Sequence, residues 1–417
     1  MMKLLLILFL SSQSADSIYL SYDNLIEVAE KYSPALKEIK FNLGASRTGI
    51  AGDIARFLGS GEFTISKTDI TYQNPPQEIT PLYSSYLTLS TNLLSTSNLF
   101  NTINSYFGFK SDEVNCQNLR EQFILNLKTQ YLNTIKLKKT LEAYSKAVER
   151  SKIYYDLVNE RYKMGMVSKV DLLTAEIELK NAEINFLNSR NAYLKSLEQI
   201  KSLLGITASN AIELVDYIPK IDSIVPANPE ELVNTAMKHN ATLIGSKNLM
   251  NTARTNLIYT ISSFVPQVSF GKTWYYQGSD IPEALSNYGE TENWTIKAYI
   301  NILNYPFSVV QQAQVERSLS YSYKKSVFDV AAKVRSAYDD LQYYFNTLDL
   351  AELRFEQAKS AYELASAQYK EGLVSILQLM DTEASLLQSE VGLIDAMYNY
   401  TIAKETLNFL VGTEVFR

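Results

Sequence analysis

The chain contains the stretch YKMGMVSKVDLL at Tyr162–Leu173 and a second copy, YKEGLVSILQLM, at Tyr369–Met380. Each position of the second copy lies 207 residues after its counterpart. In both copies a helical pattern stops at a glycine, Gly165 or Gly372, and another helical pattern starts shortly afterwards. Glycine ends helices well because it adopts the left-handed conformation without a steric cost. Each copy therefore predicts a tight turn between two helices.

A serine begins the returning helix in each copy. Ser168 is followed three residues later by Asp171, and Ser375 is followed by Gln378. A serine that accepts from the backbone, together with an acid or amide that reaches back from the third helical position, forms a capping box. The two stretches are therefore predicted to be the capped tips of two helical hairpins.

The repeat extends far beyond the tips. Ser21 begins the first helical pattern and Asn228 begins its equivalent, and each half reads helix, two strands, long helix, tip and helix. We interpret the chain as an internal duplication. The opening helix of the first half is expected to run unbroken from about Tyr22 to about Arg56. The predicted parts are a signal peptide (1–15), a first repeat (16–205, with strands near 62–94 and a coiled-coil hairpin near 113–205), an equatorial segment between the repeats (206–227) and a second repeat (228–417, with strands near 267–303 and a hairpin near 309–412).

The N-terminus has the features of a secretion signal. Lys3 precedes a short apolar run at 4–10, and small residues follow. The run is too short to span a bilayer as a helix, and its charged start and small-residue end are typical of a cleaved signal peptide. We expect cleavage near Ser14 or Ala15 and no transmembrane helix in the rest of the chain.

Composition narrows the classes of function. The 417 residues are 46% hydrophobic and 20% charged, with a net charge of −6 and no basic tract, which argues against nucleic acid binding. One cysteine, Cys116, and one histidine, His239, exclude a disulfide within the chain, the common zinc motifs and nucleophile–base catalysis. We expect His239 at a packing position in the middle of a helix, opposite its counterpart Tyr32. No enzyme activity, cofactor or metal site is predicted.

Carboxylates that stand close together in the sequence are expected to be solvated. They occur as Asp339-Asp340 and as Asp381 with Glu383. Neighbouring residues of a helix face apart and do not form catalytic pairs. We therefore place all four on the wet faces of helices.

The last predicted strand, Asn293–Leu303, alternates between apolar and polar residues. Trp294 and Ile296 point one way, while Thr295 and Lys297 point the other. Such alternation is typical of a strand with one apolar face and one wet face.

Two helical patterns, Asn115–Lys163 and Val309–Lys370, are unusually long and contain no proline or glycine. At roughly 1.5 Å per residue the first would reach about 75 Å, which suits a coiled coil or a tube. The first returning helix has apolar or small residues spaced three and four apart, a heptad period that predicts knobs-into-holes packing. A second, offset seam means that this helix has neighbours on both sides, as in a curved wall. This second seam consists of Leu173, Ile177, Ile184, Leu187 and Leu194.

With these features the chain resembles the TolC-like outer membrane efflux proteins, from Leu20 to Gly412. The resemblance rests on the GMVSKVDLL and GLVSILQLM hairpins, on the LLG and LVG endings of the returning helices, and on the repeated order of elements. It implies a mostly α-helical fold with a small β part. Three chains, giving four strands each, would form a twelve-stranded transmembrane β-barrel, and their helices would form a trimeric tube across the periplasm.

The resemblance also implies a function and partners. It indicates a passive exit duct in the outer membrane, part of a tripartite efflux or type I secretion system, that contacts a periplasmic adaptor (membrane fusion) protein and an inner-membrane pump or ABC secretion transporter. Drug, metal and protein substrates are all left open. The residues alone also allow a secreted or periplasmic coiled-coil scaffold without a pore, which would share the heptads but would not need alternating strands.

The family closes its periplasmic entrance with acidic residues and hydrogen bonds near the hairpin tips. Carried over by position, the entrance residues are Asp381, Asp171 and Gln378, the last at a position that is acidic in the family pattern. The basic partner expected two residues after Gly372 is Val374. The resemblance therefore predicts a ring of Asp381 residues, one from each protomer, with a weaker latch than the family pattern. Helix capping is an alternative role for Asp171 and Gln378.

The turns themselves are apolar where exposure to solvent is expected, and an exposed apolar tip is typical of a site for a partner. The alternative is that these side chains only staple the turn to its own helix. The predicted adaptor-docking residues are Gly165, Met166, Val167, Gly372, Leu373 and Val374.

Overall fold

The computed structural model describes residues 18–55, 59–69, 71–73, 76–78, 82–206, 212–219, 228–280, 289–297 and 303–413. The predicted signal peptide and much of the predicted segment between the repeats lie outside these residues. Two compact units are present, and each takes segments from both halves of the sequence. The first unit comprises Met1–Ile39, Asn118–Asn240 and Asp329–Arg417, and the second comprises Lys40–Gln117 and Ala241–Phe328.

Helices dominate the described residues. The elements are, in order, β1 (Ile18–Leu20), α1 (Leu25–Tyr32), α2 (Pro34–Ala55), β2 (Ser60–Thr68), β3 (Thr71–Gln73), β4 (Pro76–Glu78), β5 (Leu82–Leu94), α3 (Thr96–Lys163), α4 (Lys169–Leu204), β6 (Ile212–Leu214), α5 (Pro229–His239), α6 (Ala241–Ile261), β7 (Gln267–Gly278), β8 (Gly289–Lys297), α7 (Tyr305–Lys370) and α8 (Ile376–Val411). Among the helices of the described residues, we find none with both the length and the apolar character needed to cross a membrane.

The offset of 207 residues recurs in the elements. The returning helices α4 and α8 coincide at both ends when the offset is applied, and the long helices α3 and α7 end at equivalent lysines. The strands β2 and β5 begin at the counterparts of the first residues of β7 and β8. The predicted boundaries between the repeats stay a prediction.

The opening helix of each half is broken, so the unbroken helix predicted from Tyr22 to Arg56 is wrong. Ser33 is extended, with φ −63° and ψ 122°, because the residue before a proline avoids the helical conformation and Pro34 follows. Asn240 has nearly the same conformation, with φ −66° and ψ 121°, although no proline follows it. A second cause must therefore act in the second half.

That cause is the end of a returning helix, which packs into each break. The Ser33 hydroxyl donates to the carbonyl of Leu203 at 3.2 Å, and the side-chain amide of Asn240 donates to the carbonyl of Leu410 at 2.9 Å. The last carbonyls of a helix have no partner within the helix. Each break therefore supplies a donor that the end of α4 or α8 lacks.

His239 does not occupy the packing position that the sequence predicts. It is the last residue of α5 and is exposed, and its counterpart Tyr32, the last residue of α1, is 36% exposed. The prediction fails because it assumed that the helix continues through this point. Because α1 and α5 end at these two residues, the side chains at this position face solvent.

The second unit contains an antiparallel sheet of four strands in the order β2-β5-β7-β8. Phe63, Leu87 and Trp274 lie opposite one another across three strands, while Thr88 and Thr273 are paired on the other face and hydrogen-bonded at 3.1 Å. In the last strand Trp294 pairs with Phe270 and Thr295 pairs with Ser269, so the predicted alternation is present over residues 293–297. Residues 298–302 of the last predicted strand lie outside the described residues.

Candidate functional site at the hairpin tips

The two turns have the same backbone geometry. Gly165 and Gly372 are left-handed, with φ 75° and 77°. In the first turn the amide of Met166 donates to the carbonyl of Arg161 at 2.9 Å, and the second turn has the equivalent bond at the same distance. This is the Schellman ending of a helix, which needs a residue that tolerates positive φ. The prediction that glycine ends both rising helices is confirmed.

The returning helices are capped, but only the first has a complete capping box. The Ser168 hydroxyl accepts from the amide of Asp171 at 3.1 Å, and the Asp171 carboxylate accepts from the amide of Ser168 at 3.0 Å. Ser375 accepts from the amide of Gln378 at 3.2 Å without a bond back. The Asp171 carboxylate therefore serves as a helix cap here.

The apolar residues of the tips divide into two kinds. Val167 and Val374, each directly before a capping serine, pack against one buried cluster that includes Leu172 and Leu379. This is the arrangement of a hydrophobic staple, in which the residue before the cap contacts the fourth helical residue. The staple therefore accounts for the two valines.

The other two apolar residues of the tips remain in solvent. Met166 is 67% exposed and Leu373 is 74% exposed. Asp381 is also exposed, one turn into α8, and makes no hydrogen bond or ion pair within the described part of the chain. Two apolar side chains and one acid are thus available at the tips for contacts outside this chain.

The buried cluster beneath the tips draws on all four long helices. α3 contributes Tyr154 and Val158, α4 contributes Leu172 and Ala175, α7 contributes Ala365 and Tyr369, and α8 contributes Ile376 and Leu379. The two hairpins of one chain are therefore packed together at their tips.

An arginine strengthens this junction. Arg161, in the last turn of α3, donates to the carbonyls of Tyr369 at 3.3 Å and Lys370 at 2.7 Å, in the last turn of α7. Its guanidinium carbon lies 5.2 Å from the centre of the Tyr369 ring. A cation is favourable at the negative end of a helix. Arg161 therefore links the first hairpin to the second.

A second link between the hairpins lies further from the tips and joins α3 to α8. The Nε atom of Arg150, on α3, donates to the Glu383 carboxylate, on α8, at 2.7 Å. Their side chains are only 18% and 13% exposed. The wet-face interpretation is therefore wrong for Glu383, because α3 covers the face of α8 that carries it. It holds for Asp339, Asp340 and Asp381, which are exposed.

Burial has a cost for this ion pair. Desolvation raises the pKa of Glu383 above its usual value, and the charge of Arg150 opposes the rise. The second carboxylate oxygen and the Arg150 Nη2 atom are buried without a hydrogen-bond partner among the described residues. Each ion therefore depends on the other for compensation.

Two tyrosines connect α7 to the neighbourhood of the Arg150–Glu383 ion pair. The Tyr154 hydroxyl lies 2.6 Å from the Tyr362 hydroxyl and donates to Ser366 at 2.9 Å. The Arg150 guanidinium carbon lies 5.6 Å from the centre of the Tyr362 ring. Sequence reasoning did not single out these groups. The heptad spacing of Glu383 and Glu390 places both acids on one stripe of α8, but it does not say which helix covers that stripe.

A protein-family model described as "Outer membrane efflux protein" matches residues 107–206 and 233–413. These residues make up more than half of the chain and include both hairpins. The chain belongs to the outer membrane efflux protein family.

Curated relatives of this efflux protein point to the same class. "Outer membrane protein TolC" of Vibrio cholerae is 22% identical over 304 residues, covering 70% of this chain and 68% of the relative. The protein of the same name from Salmonella enteritidis is 22% identical over 450 residues, covering 99% of this chain and 87% of the relative.

The fold is shared with solved channels. The CmeC outer membrane channel of Campylobacter jejuni superposes with a TM-score of 0.82 at 15% identity, covering 95% of this chain and 87% of that one. At this identity the similarity is one of fold. Family membership makes the protein an outer membrane efflux channel. The pore-less scaffold that the sequence left open has no support in these comparisons.

Proposed function

We propose that three copies of this chain close into a ring and form a passive exit duct through the periplasm and the outer membrane, gated at the hairpin tips. One observation carries the proposal. Helix faces that are covered by another helix of the same chain have counterparts, 207 residues away, that are exposed to solvent. The contact seen once within the chain therefore has a place to occur again between copies.

The covered contact joins α3 to α8. Three ion pairs lie along it, and their closest N–O distances are between 2.9 and 3.4 Å. They are Lys128–Glu405, Lys136–Asp395 and Lys146–Glu390. With the Arg150–Glu383 pair they make α3 the neighbour of α8 over much of its length.

The bare counterparts lie on α7 and α4. Tyr343 on α7 corresponds to Lys136 of the covered contact, whose side chain is 19% exposed, yet Tyr343 itself is 62% exposed. On α4, Ile184 and Leu187 are each 56% exposed, while their counterparts on α8 are half-buried. These are residues of the second seam.

A repeated contact of this kind joins different surfaces on the two partners. If α7 of one copy covers α4 of the next, as α3 covers α8 within a copy, every added copy presents a new bare face. Such head-to-tail contacts end only when the ring closes. Closure after three copies follows the pattern of the family.

The four-stranded sheet supports a membrane barrel built in the same way. Among the described residues its outer strands, β2 and β8, each have one edge without a partner strand, and lipid does not tolerate unpaired backbone groups. Pairing of these edges between copies would remove them. Trp294 and Ile296, 69% and 73% exposed, belong to the apolar face that would meet lipid, and the threonine face would line the channel.

The tips would form both the gate and the partner site. Met166 and Leu373 are large apolar side chains in solvent, which suits docking to a periplasmic adaptor protein that connects the duct to an inner-membrane pump or transporter. Gating would be a shift of population between hairpins packed together and hairpins apart, driven by an adaptor that prefers the open state.

Replacing Asp381 with alanine is expected to raise the conductance of single channels in planar lipid. Asp381 makes no hydrogen bond or ion pair within the described residues, so its role would lie in the ring of three acids at the entrance. Asp339→Ala, which removes an exposed acid from α7, should leave conductance unchanged. If the wild type carries no current, the duct itself is refuted. Unchanged conductance of D381A at several pH values would refute only the acidic ring.

A further inference from the structure

Two tyrosines stand side by side on the polar face of the four-stranded sheet. Tyr86 of β5 pairs with Tyr275 of β7, and side chains paired in this way have Cβ atoms about 4.5–5.5 Å apart. Both side chains are exposed, at 42% and 43%. Thr64 on β2 and Gly289 on β8 complete the row. Each copy of the chain therefore presents two adjacent phenol rings on this face.

The rest of this face consists mainly of small polar side chains. Among the described residues of the sheet, the face has no other aromatic side chain. The rows on either side of the tyrosines contain Ser66, Ser84 and Gln277, and Glu62, Thr88, Thr273 and Thr291. The tyrosine pair is therefore a small aromatic surface within a wall of hydroxyl groups.

The ring of Tyr275 lies over a glycine of the neighbouring strand. A Cβ atom added to Gly289 would be 2.9 Å from the Cζ atom and 3.1 Å from the Cε1 atom of this tyrosine. Glycine in a strand allows another group to approach the backbone closely. A ring that lies on a strand has one π-face against the backbone and the other toward solvent. The open face of Tyr275 is thus available for stacking.

The charge near the pair is negative. Glu62 lies one row from Tyr86, is exposed, and makes no hydrogen bond or ion pair within the described residues. Lys297, a cation on the same face, is the last residue of β8, whereas the tyrosine row is at the first. The faces of aromatic rings also attract cations. The surroundings therefore suit a flat aromatic ring that carries a positive charge.

We propose that Tyr86 and Tyr275 form a stacking site for flat aromatic cations on the inner wall of the barrel. This rests on the proposed function, in which the polar face of the sheet lines the channel. The site lies toward the outer mouth of the duct, because β5 leads into α3 at its other end and the helices lie in the periplasm. A solute with a flat ring pauses there on its way out, and a solute without one does not.

Interruption of the channel current by ethidium, a flat aromatic cation, tests the proposal. Single channels of the full chain are recorded in planar lipid, and the mean duration of the interruptions is measured. Tetraethylammonium has the same charge and no ring, so it is the reference probe. Tyr86→Ser should shorten the ethidium interruptions by about fivefold or more, because stacking on an aromatic side chain is lost. The effect of tetraethylammonium on the current should stay within twofold of the wild type.

Matched variants separate stacking from folding. Tyr86→Ser leaves the contact of Tyr275 with Gly289 in place. Tyr86→Phe keeps the ring and should retain ethidium interruptions within twofold of the wild type. Tyr276→Ser removes a tyrosine from the opposite face of the same sheet and should also stay within twofold. Glu62→Gln should shorten the interruptions at least twofold, because it removes the nearby negative charge.

Four results would overturn the proposal. They are a conducting wild type without ethidium interruptions, unchanged interruptions in Tyr86→Ser, unchanged interruptions in Glu62→Gln, and a loss in Tyr86→Phe as large as that in Tyr86→Ser. Each of them leaves the duct itself intact. A wild type that carries no current would instead refute the duct, so the two failures are distinguishable.

Discussion

Replacing Arg150 with methionine is expected to destabilise the folded protein by about 3 kcal/mol, because it leaves Glu383 as a buried charge without a partner. The Glu383 side chain is 13% exposed and already has one oxygen without a hydrogen-bond partner among the described residues. The double variant Arg150→Met with Glu383→Met should recover most of the loss, since it removes both charges and keeps the volume. Thermal unfolding in detergent measures both variants.

The pH dependence of the Arg150→Met variant provides a check on the cause. Burial already raises the pKa of Glu383 in the folded state, and loss of the cation should raise it further. An acid whose folded pKa lies above its unfolded value contributes stability that is present below the unfolded pKa and is lost as the pH rises through the folded pKa. The defect should therefore be smaller at pH 5 than at pH 8. An equal loss at both pH values would contradict a buried charge as the cause.

Replacing Gly412 with alanine is expected to cost about 4 kcal/mol. The residue has φ 77°, and an added Cβ would lie 2.7 Å from the His239 carbonyl oxygen. The left-handed conformation alone costs a non-glycine residue about 1–2 kcal/mol, and overpacking against backbone adds about 1–3 kcal/mol. The loss should appear as a lower midpoint of thermal unfolding.

Gly372 offers a matched control for this prediction. It has the same φ of 77°, but an added Cβ would meet nothing within 4 Å. Gly372→Ala should therefore show only the conformational cost, about 1–2 kcal/mol. Equal losses for the two variants would mean that the close approach of α8 to the break after His239 contributes nothing.

The parts of the fold that the sequence predicted are those set by local chemistry. Gly165 ends a helix and Ser168 caps the next one because a few neighbouring residues decide both. The break before Pro34 has a local signal that the helical pattern concealed. The break at Asn240 has none, because it depends on a carbonyl of α8, 170 residues away.

The candidate site was predicted in outline only. The exposed Met166, Leu373 and Asp381 follow from their place in a turn or on a helix surface. The burial of Glu383 depends on α3 lying against α8, which no pattern within α8 specifies. The role of Arg161 has no signal in the sequence near it, because its partner carbonyls belong to a different hairpin.

Counting the chains that a between-copy link can join tests the central claim most directly. Cysteines replace Leu353 and Glu183, the counterparts of the Lys146–Glu390 pair, whose Nζ and Oε1 atoms lie 3.3 Å apart. In the Cys116→Ala background, the linked protein is separated on a denaturing gel, and cysteines at Lys146 and Glu390 themselves are the control. The account predicts a ladder that ends at three chains for the first pair and a single chain for the control. A single chain for both pairs, or a ladder that continues beyond three, would contradict a ring of three copies.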